Sequence, residues 1–394
     1  MKMKNVLKKV FILILFINFG CKSTKSLIMN GDITITENVA KIPIDVKTKL
    51  PFVKVEINGK EYNFLFDTGA VTCISSNLYK ELQLKPKKNI LVYDLQENKK
   101  KEVITIIPKL KIGSVLMKNI SSVVINFNSF GFKCTKIDGI IGSNHLKDLF
   151  VKVNNKEKVI EITNNLSLLD KTGFDKEWNF IEDKQKKLIL VSTFYGKKIR
   201  FLFDTGADSY IDINKKFVEE VKDSIKTSFI TFEGNSSEGI YGKDKVNNSI
   251  HFFKPEQFEI AEHSFKDELV STGSSNLIGN DYLEHFNYIL DWKHKKIYFK
   301  ELDKPQTKKK FPFSPNYVDN KLIVSSILKT ENQPLCLGDV IVSVNGQKID
   351  EMSQEQLCNL FLNDYELDTI NIEILRDNQV LPFTFTREDF FKEK

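Results

Sequence analysis

The heptapeptide Phe-Leu-Phe-Asp-Thr-Gly-Ala occurs twice, at residues 64–70 and 201–207, 137 residues apart. Seven identical residues at that separation mark a duplicated unit, which restricts the chain to folds in which two like modules pack together. The correspondence extends beyond the motif. Upstream, Gly59-Lys60 matches Gly196-Lys197, each a turn between an apolar strand and the strand that delivers the aspartate. Downstream, Gly139-Ile140-Ile141-Gly142 and Leu146 match Asn276-Leu277-Ile278-Gly279 and Leu283, so aspartate and glycine lie 75 residues apart in both copies. Strand-like pairs at 151–153 and 159–162 answer those at 288–290 and 297–299. Each copy is about 110 residues of mostly β pattern. The units run from 50 to 162 and from 187 to 299, joined by a polar connector at 163–186.

A third region follows a Lys/Pro-rich linker at 301–310. Its pattern predicts strands over 322–328 and 340–344, a helix over 353–362, and strands over 370–375 and 381–385, with Asn345-Gly346 as a turn. At 394 residues the chain has room for two or three cores of ordinary size.

The N-terminus differs from the rest. Lys2, Lys4, Lys8 and Lys9 precede an apolar run that ends at Gly20-Cys21, the layout of an export signal too short to span a bilayer comfortably. A small residue directly before cysteine is similar to a bacterial lipobox, although Asn18 stands where a leucine is usual. Residues 1–20 are therefore expected to be a lipoprotein signal, with Cys21 the acylated membrane anchor of an exported, periplasm-facing, cell-envelope lipoprotein. Removing them takes away four lysines and no acids, and the formal charge falls from +6 to +2. The short lysine runs at 99–101 and 308–310 then read as solvated turn and linker, so no nucleic-acid partner is implied. Cys73, Cys134, Cys336 and Cys358 form no C-x-x-C pair and do not cluster with the five histidines, which argues against a metal site. Export permits disulfides, with Cys73–Cys134 one conceivable bridge, and the same cysteines equally suit small buried apolar positions.

A single Asp-Thr-Gly would be an ordinary turn. Two copies inside identical heptapeptides, each followed at the same distance by an apolar-apolar-Gly segment, point instead to two carboxylates presented in one cleft. On these residues the sequence resembles the retropepsin branch of the aspartic peptidases over residues 50–300. The resemblance implies a mainly β fold in which two tandem acid-protease β-barrel lobes, 45–165 and 187–300, form one bilobal unit without needing an oligomer. It also implies that Asp67 and Asp204 are the catalytic dyad, supported by Thr68, Gly69, Thr205 and Gly206, with no cofactor. Each threonine would hydrogen-bond the opposing loop's backbone. Polypeptide substrates would lie against Ala70, Ala207, Asp208, Ile140 and Leu277, under a flap at 233–239 that includes Gly234, Asn235 and Ser236; residues 96–102 are the counterpart in the first lobe. Where retroviral relatives carry arginine after Ile-Ile-Gly, this chain has Ser143 and Asn280. Ser143 and His145 lack the Gly-x-Ser-x-Gly context of a serine hydrolase.

The run Leu337-Gly338-Asp339-Val340-Ile341 with Val344-Asn345-Gly346 resembles PDZ domains, implying a C-terminal α+β module at 311–390 that binds a peptide by strand addition. Its carboxylate-capturing loop would be residues 311–314, where Pro312 removes one backbone donor. The combined expectation is a lipid-anchored aspartic endopeptidase with a peptide-recruiting module. The alternative is an inactive adaptor whose protease lobes serve only as scaffold.

Overall fold

A computed structural model describes residues 24, 26–45, 50–94, 98–127, 130–234, 238–243, 249–265, 268–302, 309–363 and 367–391. The expected signal and Cys21 lie outside the described residues. The chain is mainly β.

In the first repeat, strand Phe52–Ile57 turns at Asn58-Gly59 into strand Lys60–Asp67. Gly59 has φ of +78°, a left-handed conformation that glycine adopts without penalty, and Gly196 repeats it at +74°. Side chains alternate along Lys60–Asp67, so Phe64 and Phe66 enter one core while Leu65 and Asp67 face the other side. Strand Gly139–Gly142 runs parallel to Lys60–Asp67 and in register, pairing Leu65 with Ile140 and Asp67 with Gly142. Strands Cys73–Ser75, Val115–Ile125 and Lys99–Ile112 continue the sheet, and pairing of the last two closes a ring. The second repeat reproduces the central arrangement: Leu188–Phe194, Lys197–Asp204 and, parallel to it, Leu277–Gly279, with Asp204 facing Gly279.

The last strands of the two repeats join in one six-stranded sheet. Phe150–Asn154 pairs antiparallel with Phe286–Asp291, and Lys152 faces Ile289. These two are 137 residues apart, the interval of the repeat itself, so a local two-fold axis passes between them. Lys152 is buried there and ion-paired to Glu161 at 3.3 Å.

Residues before the sequence boundary at 45 also belong to the sheets. Strand Asp32–Ile35 pairs with Val115–Ile125, and Ala40–Pro43 extends the six-stranded sheet. The connector at 163–186 is not merely polar tether either, since its strand Lys176–Asn179, carrying buried Trp178, forms the far edge of that sheet.

Beyond residue 309 the chain forms strands Phe313–Val318, Lys321–Leu328, Val340–Val344, Thr369–Arg376 and Gln379–Thr386 with helix Gln354–Asn363, around a core of its own. The helix starts at a capping box in which Ser353 Oγ accepts from Gln356 N (3.2 Å) and Gln356 Oε1 accepts from Ser353 N (2.8 Å). The Gly338-Asp339 turn is held by Arg376, whose Nε donates to Asp339 Oδ1 at 2.9 Å, while Cys336 N donates to Oδ2 at 2.7 Å. Phe313–Val318 has no counterpart in the sequence-predicted strands, because its two flanking or internal prolines mask it; Pro315 sits at a bulge.

A shared sheet and a disulfide are among the contacts that tie this region to the repeats. Strand Lys321–Leu328 pairs with Ile230–Gly234 of the second repeat, making one continuous sheet. Cys134 in helix Phe130–Thr135 of the first repeat is disulfide-bonded to Cys358 in helix Gln354–Asn363. The Cys73–Cys134 pairing considered from sequence is thereby excluded, since Cys73 is a free, buried thiol on an inner strand. Peptide mapping without reductant should recover the 134–358 pair as one cross-linked species. Cys358→Ser should lower stability in urea by about 2–4 kcal/mol, the usual worth of a native bridge.

Candidate active site

Both Asp-Thr-Gly loops leave the ends of buried strands and meet where the repeats abut. Four hydrogen bonds between buried partners join them. Thr68 N donates to Thr205 Oγ1 (3.0 Å) and Thr205 N to Thr68 Oγ1 (3.1 Å), while Thr68 Oγ1 donates to Phe203 O (2.7 Å) and Thr205 Oγ1 to Phe66 O (2.8 Å). Each hydroxyl thus accepts once and donates once, leaving no orphan in a place where an unmet polar group is costly.

The glycines are there for space. A Cβ on Gly69 would lie 2.3 Å from Asp204 Cγ, and one on Gly206 would lie 2.3 Å from Asp67 Cγ. Each loop therefore leans its glycine against the opposing carboxyl group. Gly69 N donates to Asp67 Oδ1 (2.7 Å) and Gly206 N to Asp204 Oδ1 (3.0 Å), fixing both carboxylates within their own turns.

Burial raises the pKa of both aspartates, and for Asp67, pushed well up, the Asp204 charge adds to it. Two confined carboxyls cannot both ionise readily, so they titrate as a pair. Among the described residues no group of three or more His, Cys, Asp or Glu could hold a metal ion.

Behind the first loop lies a network that sequence reasoning missed. Asn144 Oδ1 accepts from Thr72 N (2.9 Å), His145 Nδ1 is 2.7 Å from Thr72 Oγ1, Gly142 N donates to the same hydroxyl (3.1 Å), and Ser143 Oγ donates to Thr68 O (2.6 Å). Asn144 Nδ2 and His145 Nε2 reach the carbonyls of Ile28 (2.8 Å) and Asn30 (3.0 Å), so residues 28–30 brace the loop. Ser143 and His145 are thus separately engaged and form no nucleophile–base pair. Burial pushes His145 down to about 4, leaving it neutral near pH 7. The second repeat places Ser209, Asp281 and Tyr282 at the corresponding positions, so this buttress is not duplicated. The signal that could have found it is the polar run Ser143-Asn144-His145 directly after Gly142, read against Thr72.

Of the remaining expected site residues, Ile140 and Leu277 are buried on strands paired with Leu65 and Leu202, on the aspartate side of each sheet. Ala70 and Ala207 are half-buried and Asp208 is exposed. Gly234 is elsewhere than a flap tip would be. Its φ is +81°, and a Cβ there would meet Ser325 O at 2.2 Å and Leu337 Cδ2 at 2.7 Å, because its strand is paired to the C-terminal region. Asn235 and Ser236 lie outside the described residues. The hairpin that does form, Glu238–Gly239 with Gly242–Lys243, turns at Ile240-Tyr241, beyond the expected tip.

Residues 53–145 match the family model of aspartyl proteases. The matched stretch contains Asp67-Thr68-Gly69, the Gly139–Gly142 strand and the buttress behind them. No curated protein matches the chain.

Thr68→Val removes a hydroxyl used on both sides and strands Thr205 N and Phe203 O, so stability should fall by at least about 2 kcal/mol. Asp204→Asn should do the opposite at neutral pH. A carboxyl whose folded pKa is raised above 3.8 weakens the fold above that folded value, and the penalty vanishes as pH falls to 3.8. The variant should therefore melt higher than the parent at pH 7, with the gap closing toward pH 4.

Proposed function

We propose that this chain is an aspartic endopeptidase in which Asp67 and Asp204, one from each repeat, activate a single water molecule against a peptide bond. The observation carrying this reading is the reciprocal Thr68–Thr205 hydrogen bonding, which brings two identical Asp-Thr-Gly loops face to face with each glycine against the other's carboxyl. The aspartyl protease match over residues 53–145 supports it.

The mechanism follows from the shared proton. With both pKa values raised and the two groups coupled, the pair keeps one proton over the working range. The ionised carboxylate takes a proton from water as its oxygen attacks the carbonyl carbon, and the protonated partner donates a hydrogen bond to the developing oxyanion. The pair then delivers a proton to the leaving nitrogen. Gly69 N and Gly206 N orient the carboxylates throughout.

In this reading the repeats are the two lobes of one enzyme, and residues 311–390 are a PDZ-like module that brings polypeptide to them. Among the described residues, Phe313–Val318 pairs only with Lys321–Leu328, leaving an edge for an added strand. Amide exchange of the full-length Asp67→Asn chain tests this: residues 313–318 should become protected on adding unfolded polypeptide, and unchanged exchange would sink the recruitment role. Export and lipidation at Cys21 complete the proposal. Ser26 follows five positions later, and residues 26–30 already brace the first lobe, so an anchored enzyme would work close to the membrane surface. Mass measurement of the mature N-terminus decides it, since an unmodified Cys21 thiol refutes the anchor.

The chain lacking residues 1–21 should cleave unfolded protein, and both Asp67→Asn and Asp204→Asn should lose at least about 10²-fold in kcat/KM. Activity should fall as pH rises past the point where the pair loses its shared proton. A parent that cleaves nothing from acidic to neutral pH would leave the scaffold-and-adaptor reading instead.

A further inference from the structure

The lysine run at 99–101, read from sequence as a solvated turn, lies instead at the start of strand Lys99–Ile112, whose antiparallel partner is Pro86–Tyr93. The hairpin so formed has two unlike faces. Ile90 and Val92, opposite Glu102 and Lys100, turn inward onto the apolar cluster that contains Leu65. Ile240 and Tyr241 of the second repeat pack on that cluster too, with Lys100 Nζ 5.9 Å from the Tyr241 ring centre. Alternation turns Leu91, Tyr93, Lys99 and Lys101 the other way, with Leu91 opposite Lys101 and Tyr93 opposite Lys99. Tyr93 is 60% exposed and Leu91 49%, and both lysines are exposed beside them. Lys100 pairs with Glu102 at 3.7 Å, whereas Lys99 and Lys101 make no ion pair among the described residues.

The surroundings of this outer face are strongly basic. Residues 85–118 hold nine lysines and three acids, a net +6, against +2 for the whole chain without residues 1–20. A merely solvated face needs charge, but it has no use for an exposed leucine and tyrosine. Lysines flanking an aliphatic and an aromatic side chain suit a bilayer interface. There the ammonium groups meet anionic headgroups, and a tyrosine, apolar in its ring and polar at its tip, sits at headgroup depth.

The N-terminal segment brings the same hairpin toward a membrane. Lys88 Nζ donates to Thr24 Oγ1, and Leu27 and Ile28 pack on the cluster beneath the inner face. Cys21 precedes Thr24 by three residues, so a lipid carried there is tethered within about 10 Å of it. From Lys88 the strand reaches Tyr93 in roughly 17 Å. Resting on the anchor at Cys21 in the reading above, we propose that the face formed by Leu91, Tyr93, Lys99 and Lys101 lies on an anionic lipid surface. The lipid retains the protein, and the face stops it swivelling on its tether, so one fixed side of the first repeat is turned to the membrane.

The chain lacking residues 1–21 keeps every described residue and carries no lipid, so its binding to vesicles reports the face alone. It should co-sediment with vesicles containing phosphatidylglycerol but not with phosphatidylcholine alone, and added salt should release it. Lys99→Gln/Lys101→Gln should weaken that binding at least about tenfold, at roughly fivefold for each lysine. Lys198→Gln/Arg200→Gln removes the same charge from exposed positions of the second repeat and should change binding by less than about twofold. Tyr93→Trp puts an indole on the face, and because Trp178 and Trp292 are buried, quenching by brominated lipid in the anionic vesicles reads that position. Strong quenching is expected. No binding, binding without quenching, or equal loss in the two charge variants overturns the proposal. The anchor is judged separately by the mass of the mature N-terminus. A free Cys21 thiol removes the anchor and leaves a measured lipid-binding face standing, while a lipidated Cys21 with no binding by the face does the reverse.

Discussion

Four hydrogen bonds around Thr68 and Thr205 hold the molecule's two halves in a fixed relation to each other. The threonines are 137 residues apart, as are Lys152 and Ile289 in the sheet below, so the same two-fold axis passes through the loops and through the six-stranded sheet. Shared symmetry at two levels makes the loop geometry stiff. A rotation of one repeat that would separate the carboxyls must break the threonine bonds and the strand pairing together.

That stiffness is what permits an unfavourable arrangement to persist. Two buried carboxyls side by side are an electrostatic liability: burial raises both pKa values, and the Asp204 charge raises that of Asp67 further. The strain is confined to the loops. The glycines allow the approach, backbone N–H groups satisfy one oxygen of each carboxyl, and the threonines supply the opposing attraction.

Away from the axis the repeats have diverged. The first closes its strands into a ring and braces its loop with Thr72, Asn144 and His145, the last two tied to Ile28 and Asn30. The second gives the edge of Ile230–Gly234 to the C-terminal region, which is also bonded to the first repeat through Cys134–Cys358. The C-terminal region is therefore clasped to both halves, and cutting it away would expose a strand edge as well as break a covalent bridge. A separable appendage, as the lysine-rich linker suggests, is not what the chain builds.

What the sequence by itself determined is whatever repeats or recurs locally. The identical heptapeptides, the equal 75-residue intervals and the alternating strands required two like β units with an aspartate at each strand end, and the pattern over 353–362 predicted a helix. The tertiary structure alone decided the features that join residues with no shared pattern. The partner of Cys134 is 224 residues away in a different unit, the seat of Tyr241 belongs to the opposite repeat, and Gly234 serves a strand pairing rather than an open turn. Periodicity reports which face of an element is buried. It carries no information on which other element does the burying, because any apolar surface of fitting shape satisfies the same pattern, and only closure of the whole fold selects among them.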